Sequence, residues 1–136
     1  MGSGMSDHGR FCIRAAGCNG LLAVAFGAFG AHGLKHLAAT LPADQGARMV
    51  ELVDTGARYQ LLHAAALLGL AGLAARPGFL VLPWAARCLF FGSFVFSASL
   101  YALALGGPQW LGLATPIGGA GMLAGWGLLL TAVGTP

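Results

Sequence analysis

Two histidines and a lysine, His32, Lys35 and His36, close an apolar stretch studded with Gly27 and Gly30. Imidazoles four residues apart share one face of a helix, and His63 would add a third ring, enough nitrogen donors to hold a metal ion. Lys35 between the rings would repel that cation, and no carboxylate or cysteine stands with them, so no metal is expected. Catalysis is not expected either. The chain has no paired carboxylates inside its apolar runs, no Ser-His-acid set and no phosphate-binding glycine loop ahead of a helix. Residues 27–33 end a helix rather than opening one after a strand, which excludes a dinucleotide-binding fingerprint. Asp7, Asp44, Glu51 and Asp54 all lie outside the apolar runs, so any proton chemistry falls to histidine. No catalytic residue and no cofactor is expected.

What remains is binding. Ser93, Ser97 and Tyr101 are spaced by four and form one polar stripe along an apolar run; Tyr59 and His63 are spaced the same way. Polar groups at membrane depth are costly and tend to face the interior of a bundle or a water-filled cavity. If the apolar runs alternate in direction, His32, Arg58, Tyr59, His63, Ser97 and Tyr101 converge at one membrane face as a polar mouth able to bind or pass a small polar or amphipathic ligand. The competing reading is that these groups only satisfy one another inside a packed bundle.

The elements that would position them follow from composition. Of 136 residues, 57% are hydrophobic and only 8% charged, far from the quarter charged residues of ordinary soluble domains, so lipid is the solvent. The net charge of +3 comes from seven basic residues scattered at the ends of apolar runs. They form no patch for a phosphate backbone, which excludes nucleic acid as a partner and marks them as topology signals. Cys12, Cys18 and Cys88 lack metal-site spacing and read as small buried hydrophobes. Residues 1–10, beginning Met1-Gly2-Ser3-Gly4, read as a tag remnant and flexible N-terminus, and residues 11–136 as one membrane domain.

The fold predicted is all-α, a four-transmembrane-helix bundle with spans at about 11–33, 59–75, 84–105 and 110–133, and a short amphipathic helix between spans one and two. The first apolar run is long enough, at 1.5 Å per residue, to cross roughly 30 Å of hydrocarbon. Gly20, Gly27 and Gly30 in span one, and Gly121 with Gly125 in span four, fall on single helical faces where another helix approaches closely. Pro42 and Asp44 suit the first turn of the amphipathic helix. Arg76-Pro77-Gly78 and Gly106-Gly107-Pro108 are turn signals, and Trp84 and Trp110 mark membrane interfaces. Arg10, Arg14, Arg76 and Arg87 on one side against Lys35, Arg48 and Arg58 on the other put both termini in the cytoplasm. Four short glycine-rich helices enclose little volume, so a homo-oligomer is expected; docking onto a heterologous membrane partner is the alternative.

The motifs at residues 27–32 (GAFGAH), 58–64 (RYQLLHA), 96–103 (FSASLYAL), 115–119 (TPIGG) and 124–126 (AGW) occur in order. They resemble the domain of unknown function 423 family of small multi-pass bacterial membrane proteins, related to the eukaryotic transmembrane protein 256. The resemblance implies an inner-membrane location and supplies no catalytic residues. One departure is local: where the family pattern starts its surface helix with Ser-Pro, this chain has Leu41-Pro42, leaving Thr40 as the alternative cap.

Overall fold

A computed structural model describes residues 5–74 and 82–132, and among these every regular element is helical. The first helix, α1 (Asp7–Phe29), starts at a Ser6 cap whose hydroxyl accepts the Gly9 N–H at 3.1 Å, and an Asp7–Arg10 ion pair sits on its first turn. It therefore begins four residues ahead of the apolar run, inside the segment expected to be flexible. Nor does it stop at the glycines. Gly30 keeps right-handed helical angles, and the chain widens into a π-helical turn (Gly30–Leu34) before α2 (Lys35–Ala38), making one rod of 32 residues.

The larger departure is α3. The amphipathic segment and the second span are not two helices but one, Ala43–Leu73, 31 residues long. Nothing between them breaks a helix: the stretch contains no proline, and Asp54 and Arg58 form an i,i+4 ion pair of 2.8 Å along its exposed side. Pro42 occupies its cap position, one residue ahead of the first turn predicted for it, and Thr40 does not cap it; the Thr40 hydroxyl donates to the Leu37 carbonyl instead, at 2.7 Å, closing the end of α2. Then come α4 (Leu82–Ala104), a 3-10 turn (Gln109–Leu113) and α5 (Ala114–Thr131). The α4 end is closed by Gly106 at φ +85°, with the Gly107 N–H reaching back to the Ala102 carbonyl at 2.7 Å, a conformation that suits glycine alone. The Arg76-Pro77-Gly78 break and the ends of spans two and four lie outside the described residues.

Three helical segments are long and apolar enough to cross a bilayer: Asp7–Ala38, Leu82–Ala104 and Gln109–Thr131. The α3 helix is not among them because charges crowd its first half. It runs antiparallel to α1: a Cβ on Gly20 would meet the Ala64 methyl at 3.9 Å, one on Gly27 the Ala57 methyl at 3.9 Å, and one on Gly30 the Val53 side chain at 3.1 Å. Helices α1, α3 and α4 pack as a triangle, and α5 lies against the outside of α4. Two apolar clusters fill the triangle. One, at the N-terminal end of α1, joins Cys12, Ala15, Leu67, Leu82 and Leu89; the other, at the opposite end, joins Leu34, Val53, Tyr101 and Ala104.

Candidate functional site

Between these clusters the triangle is polar. The Tyr101 hydroxyl donates to Gln60 Oε1 at 2.9 Å, the Gln60 amide donates to Asn19 Oδ1 at 3.4 Å, and the Asn19 amide donates to Ser93 Oγ at 2.8 Å. The Ser93 hydroxyl in turn donates to the Phe90 carbonyl at 3.1 Å. Donors thus point one way along a chain that leaves α4, crosses α3 and α1, and returns to α4; such aligned bonds strengthen one another where the dielectric is low. Ser97 adds a separate link, donating to the Gly56 carbonyl of α3 at 2.8 Å. Asn19, Gln60, Ser93 and Ser97 are all buried, and no buried side-chain nitrogen or oxygen among the described residues lacks a partner.

Glycine makes this register possible. A Cβ on Gly56 would stand 2.6 Å from the Tyr101 ring, so only a hydrogen side chain lets the phenol reach Gln60. Phe26 of α1 stacks on the other face of that ring, centroids 3.8 Å apart and nearly parallel.

His63 belongs to a second group. Its Nδ1 bonds the Tyr59 carbonyl at 2.7 Å, and the Trp126 indole N–H of α5 donates to Nε2 at 3.3 Å. A carbonyl only accepts and an indole N–H only donates, so these bonds assign a neutral ring with its proton on Nδ1. Tyr59, half exposed, leans on Phe96 at 4.8 Å between centroids. These four side chains line the cleft between α3 and α5.

The predicted mouth therefore divides. Ser97 and Tyr101 lie inside the triangle, and Tyr59 and His63 lie at its α5 side. Arg58 is exposed and turned to Asp54. His32 is exposed on the π turn. The antiparallel register puts His63 level with Gly20, about twelve residues and roughly 18 Å along the axis from His32, so His32 and His63 do not share one mouth. The reason is the continuity of α3: residue 63 lies twenty residues into a helix, not in the first turns of a span. Sequence reasoning missed Asn19, Gly56 and Trp126 and gave Gln60 no role. Asn19 had a signal, since it is the one amide in the apolar run 11–31.

The predicted packing glycines differ in tightness. On α1, Gly20 and Gly27 stand at ordinary contact distance from α3, and Gly30 is closer. On α5, a Cβ on Gly118 would lie 2.5 Å from the Phe96 nitrogen, and one on Gly125 2.7 Å from Leu89, while Gly121 lies against Gly92 of α4. The α4–α5 contact is backbone on backbone. Ser99 and Thr115 hydroxyls, 2.8 Å apart, join the same pair of helices.

A groove of about 340 Å³ opens between α1 and α4, lined by Leu22, Phe26, Phe94 and Ala98, with Gln60 and Tyr101 as its polar residues. A larger one of about 820 Å³ runs along the π turn, α2 and the first half of α3, floored by Gly30, Ala39 and Ala47 and rimmed by Lys35, Glu51 and Asp54.

Comparison with known proteins agrees with the membrane character of this bundle. Residues 26–119 match the family described as "Protein of unknown function (DUF423)". The inner membrane protein YgdD of Escherichia coli (strain K12), a UPF0382 protein, is 39% identical over 121 residues, covering 89% of this chain and 87% of the relative. A UPF0382 membrane protein of Staphylococcus saprophyticus is 36% identical over 117 residues, covering 86% and 89%, and one of Haemophilus influenzae is 38% identical over 109 residues, covering 79% and 81%. No solved structure matches the chain. With its helices, its motifs and these relatives in agreement, the chain belongs to the DUF423 family of multi-pass helical membrane proteins.

Proposed function

We propose that the protein is a four-span bacterial inner-membrane protein that binds a small amphipathic ligand through the lateral groove between α1 and α4, without catalysing a reaction. The observation that carries this reading is the groove itself: its wall is almost wholly apolar, it opens to the bilayer past the exposed Phe94 and Ala98, and the buried, hydrogen-bonded Gln60–Tyr101 pair closes its inner side. Binding is favoured over conduction through a single chain because the interior of the triangle is occupied by mutually satisfied side chains.

In this reading the fourth span is the apolar half of α3, which accompanies α1 across the bilayer, while the charged half of α3 stands at the membrane surface beside α2. The end carrying Arg10, Arg14 and Arg87 faces the cytoplasm. Homo-oligomerisation would proceed through the outer faces of α1 and α5, where Leu21, Leu123 and Leu130 are exposed. Those same faces favour, as a second reading, an accessory subunit docked on a larger membrane complex.

Native mass spectrometry from lipid nanodiscs tests both. A homo-oligomer retaining a small non-phospholipid adduct is the expected result. A stoichiometric heterologous subunit with no adduct would replace the first reading by the second.

A further inference from the structure

The charges on the first half of α3 sort onto two faces. Glu51 and Asp54 border the groove along the π turn and α2. Arg48, with Gln45, Met49 and Leu52, lines a different cavity of about 650 Å³, whose other wall is the turn joining α4 to α5. Residues 45, 48, 49 and 52 recur at helical spacing and so form one face of α3. We propose that this cavity binds the headgroup of an anionic phospholipid, with Arg48 on the phosphate.

The first argument is charge. Arg48 is the one ionisable residue lining the cavity. The ion pairs among the described residues are Asp7–Arg10 and Asp54–Arg58, which leaves Arg48 without a carboxylate. Asp44 sits in the first turn of α3, where the positive end of the helix dipole favours it, and lines neither cavity. A guanidinium presents paired N–H donors that match two phosphate oxygens, and Gln45 and Gln109 add amide donors to the same cavity. An ammonium headgroup would find no carboxylate there, so a net-negative lipid is favoured over a zwitterionic one.

The second argument is depth. The cavity lies where Leu82–Ala104 and Gln109–Thr131, both long and apolar enough to span, meet in a turn. Exposed Trp110 follows Gln109 directly, and an indole at the end of a span marks the headgroup level. The rest of the wall is largely apolar, at Leu52, Leu103 and Leu105, and Leu105 is exposed toward the bilayer. A molecule with a phosphate at the surface and chains in hydrocarbon meets both parts of this wall; a soluble phosphate meets only the polar part. Because the cavity lies at the opposite end of α4 from Arg87, its lipid comes from the leaflet away from Arg10, Arg14 and Arg87. The site shares only Leu105 with the groove between α1 and α4 and does not depend on that groove being occupied.

The full chain in detergent micelles, titrated with phosphatidylglycerol or with phosphatidylethanolamine of identical acyl chains and read by native mass spectrometry, tests the assignment. Phosphatidylglycerol is expected to bind about fivefold more tightly, the worth of one basic residue at a charged membrane surface. Arg48→Gln is expected to remove that preference. Arg58→Gln, which takes away another exposed charge of the same helix already committed to Asp54, is expected to keep it. Equal binding of the two lipids by the wild-type protein, or a preference that survives Arg48→Gln, would overturn the site. An equal loss in both variants would reduce it to unspecific attraction by a basic surface and overturn it as well. Glycerol phosphate added at the concentration of the lipid is expected to leave bound phosphatidylglycerol in place; displacement at that concentration would overturn a lipid as the source of the phosphate.

Discussion

The two ways in which this bundle holds its helices are opposites. Between α1, α3 and α4, the contact is made by side chains: amides, hydroxyls and a phenol that reach across and specify each other by donor and acceptor. Between α4 and α5 most of the contact is made without side chains, Gly92, Gly118, Gly121 and Gly125 bringing backbone against backbone beside a Ser99–Thr115 hydroxyl bond. Lipid offers no hydrophobic gain for burying one apolar helix on another, so association needs either directional bonds or close van der Waals contact. This chain uses one solution on each side of α4.

The two solutions should fail differently. The largest effect is expected for Gly118→Val, which puts methyl groups into the Phe96 backbone; the loss should reach about 3 kcal/mol in reversible unfolding from mixed micelles, because backbone cannot yield as a side chain does. Wild-type stability in that variant would mean α5 does not dock as described. Asn19→Leu should cost less, about 1 to 2 kcal/mol, since it strands the Gln60 amide and removes a donor from Ser93. A double-mutant cycle of Asn19→Leu with Ser93→Ala should then give a coupling above zero; strict additivity would break the relay into unrelated bonds.

Trp126→Phe tests the one bond that crosses the cleft from α5 to His63. Its expected cost is about 0.6 kcal/mol, typical of an interhelical hydrogen bond in a membrane. The smallest effect belongs to Gly20→Ala, where the new methyl would meet Ala64 only at 3.9 Å; a change within about 0.5 kcal/mol is expected. If Gly20→Ala were as damaging as Gly118→Val, the distinction between the two kinds of interface would disappear.

Much of the architecture was legible in the residues. Long apolar runs can only be helices in lipid, the Gly106-Gly107-Pro108 turn needs its left-handed glycine, and Ser93, Ser97 and Tyr101 share a face because they are four apart. The collinearity of α3 was harder to see. Charge marks where the environment changes, and a helix can cross that boundary without breaking; the absence of proline across 43–73 was the better signal. That error displaced His63 along the bundle axis and gathered His32 and His63 into one mouth. The Asn19–Gln60 pair was not readable, because pairing across antiparallel helices depends on register. Here the register is fixed by contacts such as Gly30 on Val53 and Gly56 on Tyr101.

The widened turn at Gly30–Leu34 has a consequence for how the chain can vary in length. A π turn accommodates one residue beyond what an α-helix would use, and each residue of an α-helix advances the next by about 100°. Removing one residue here would tighten the turn to ordinary α geometry and, because the wide turn already absorbs the extra residue's rotation, leave both α1 and Lys35–Ala38 facing as they do now. The turn is therefore a place where the rod can lose a single residue without re-aiming its surface end or disturbing the buried polar layer.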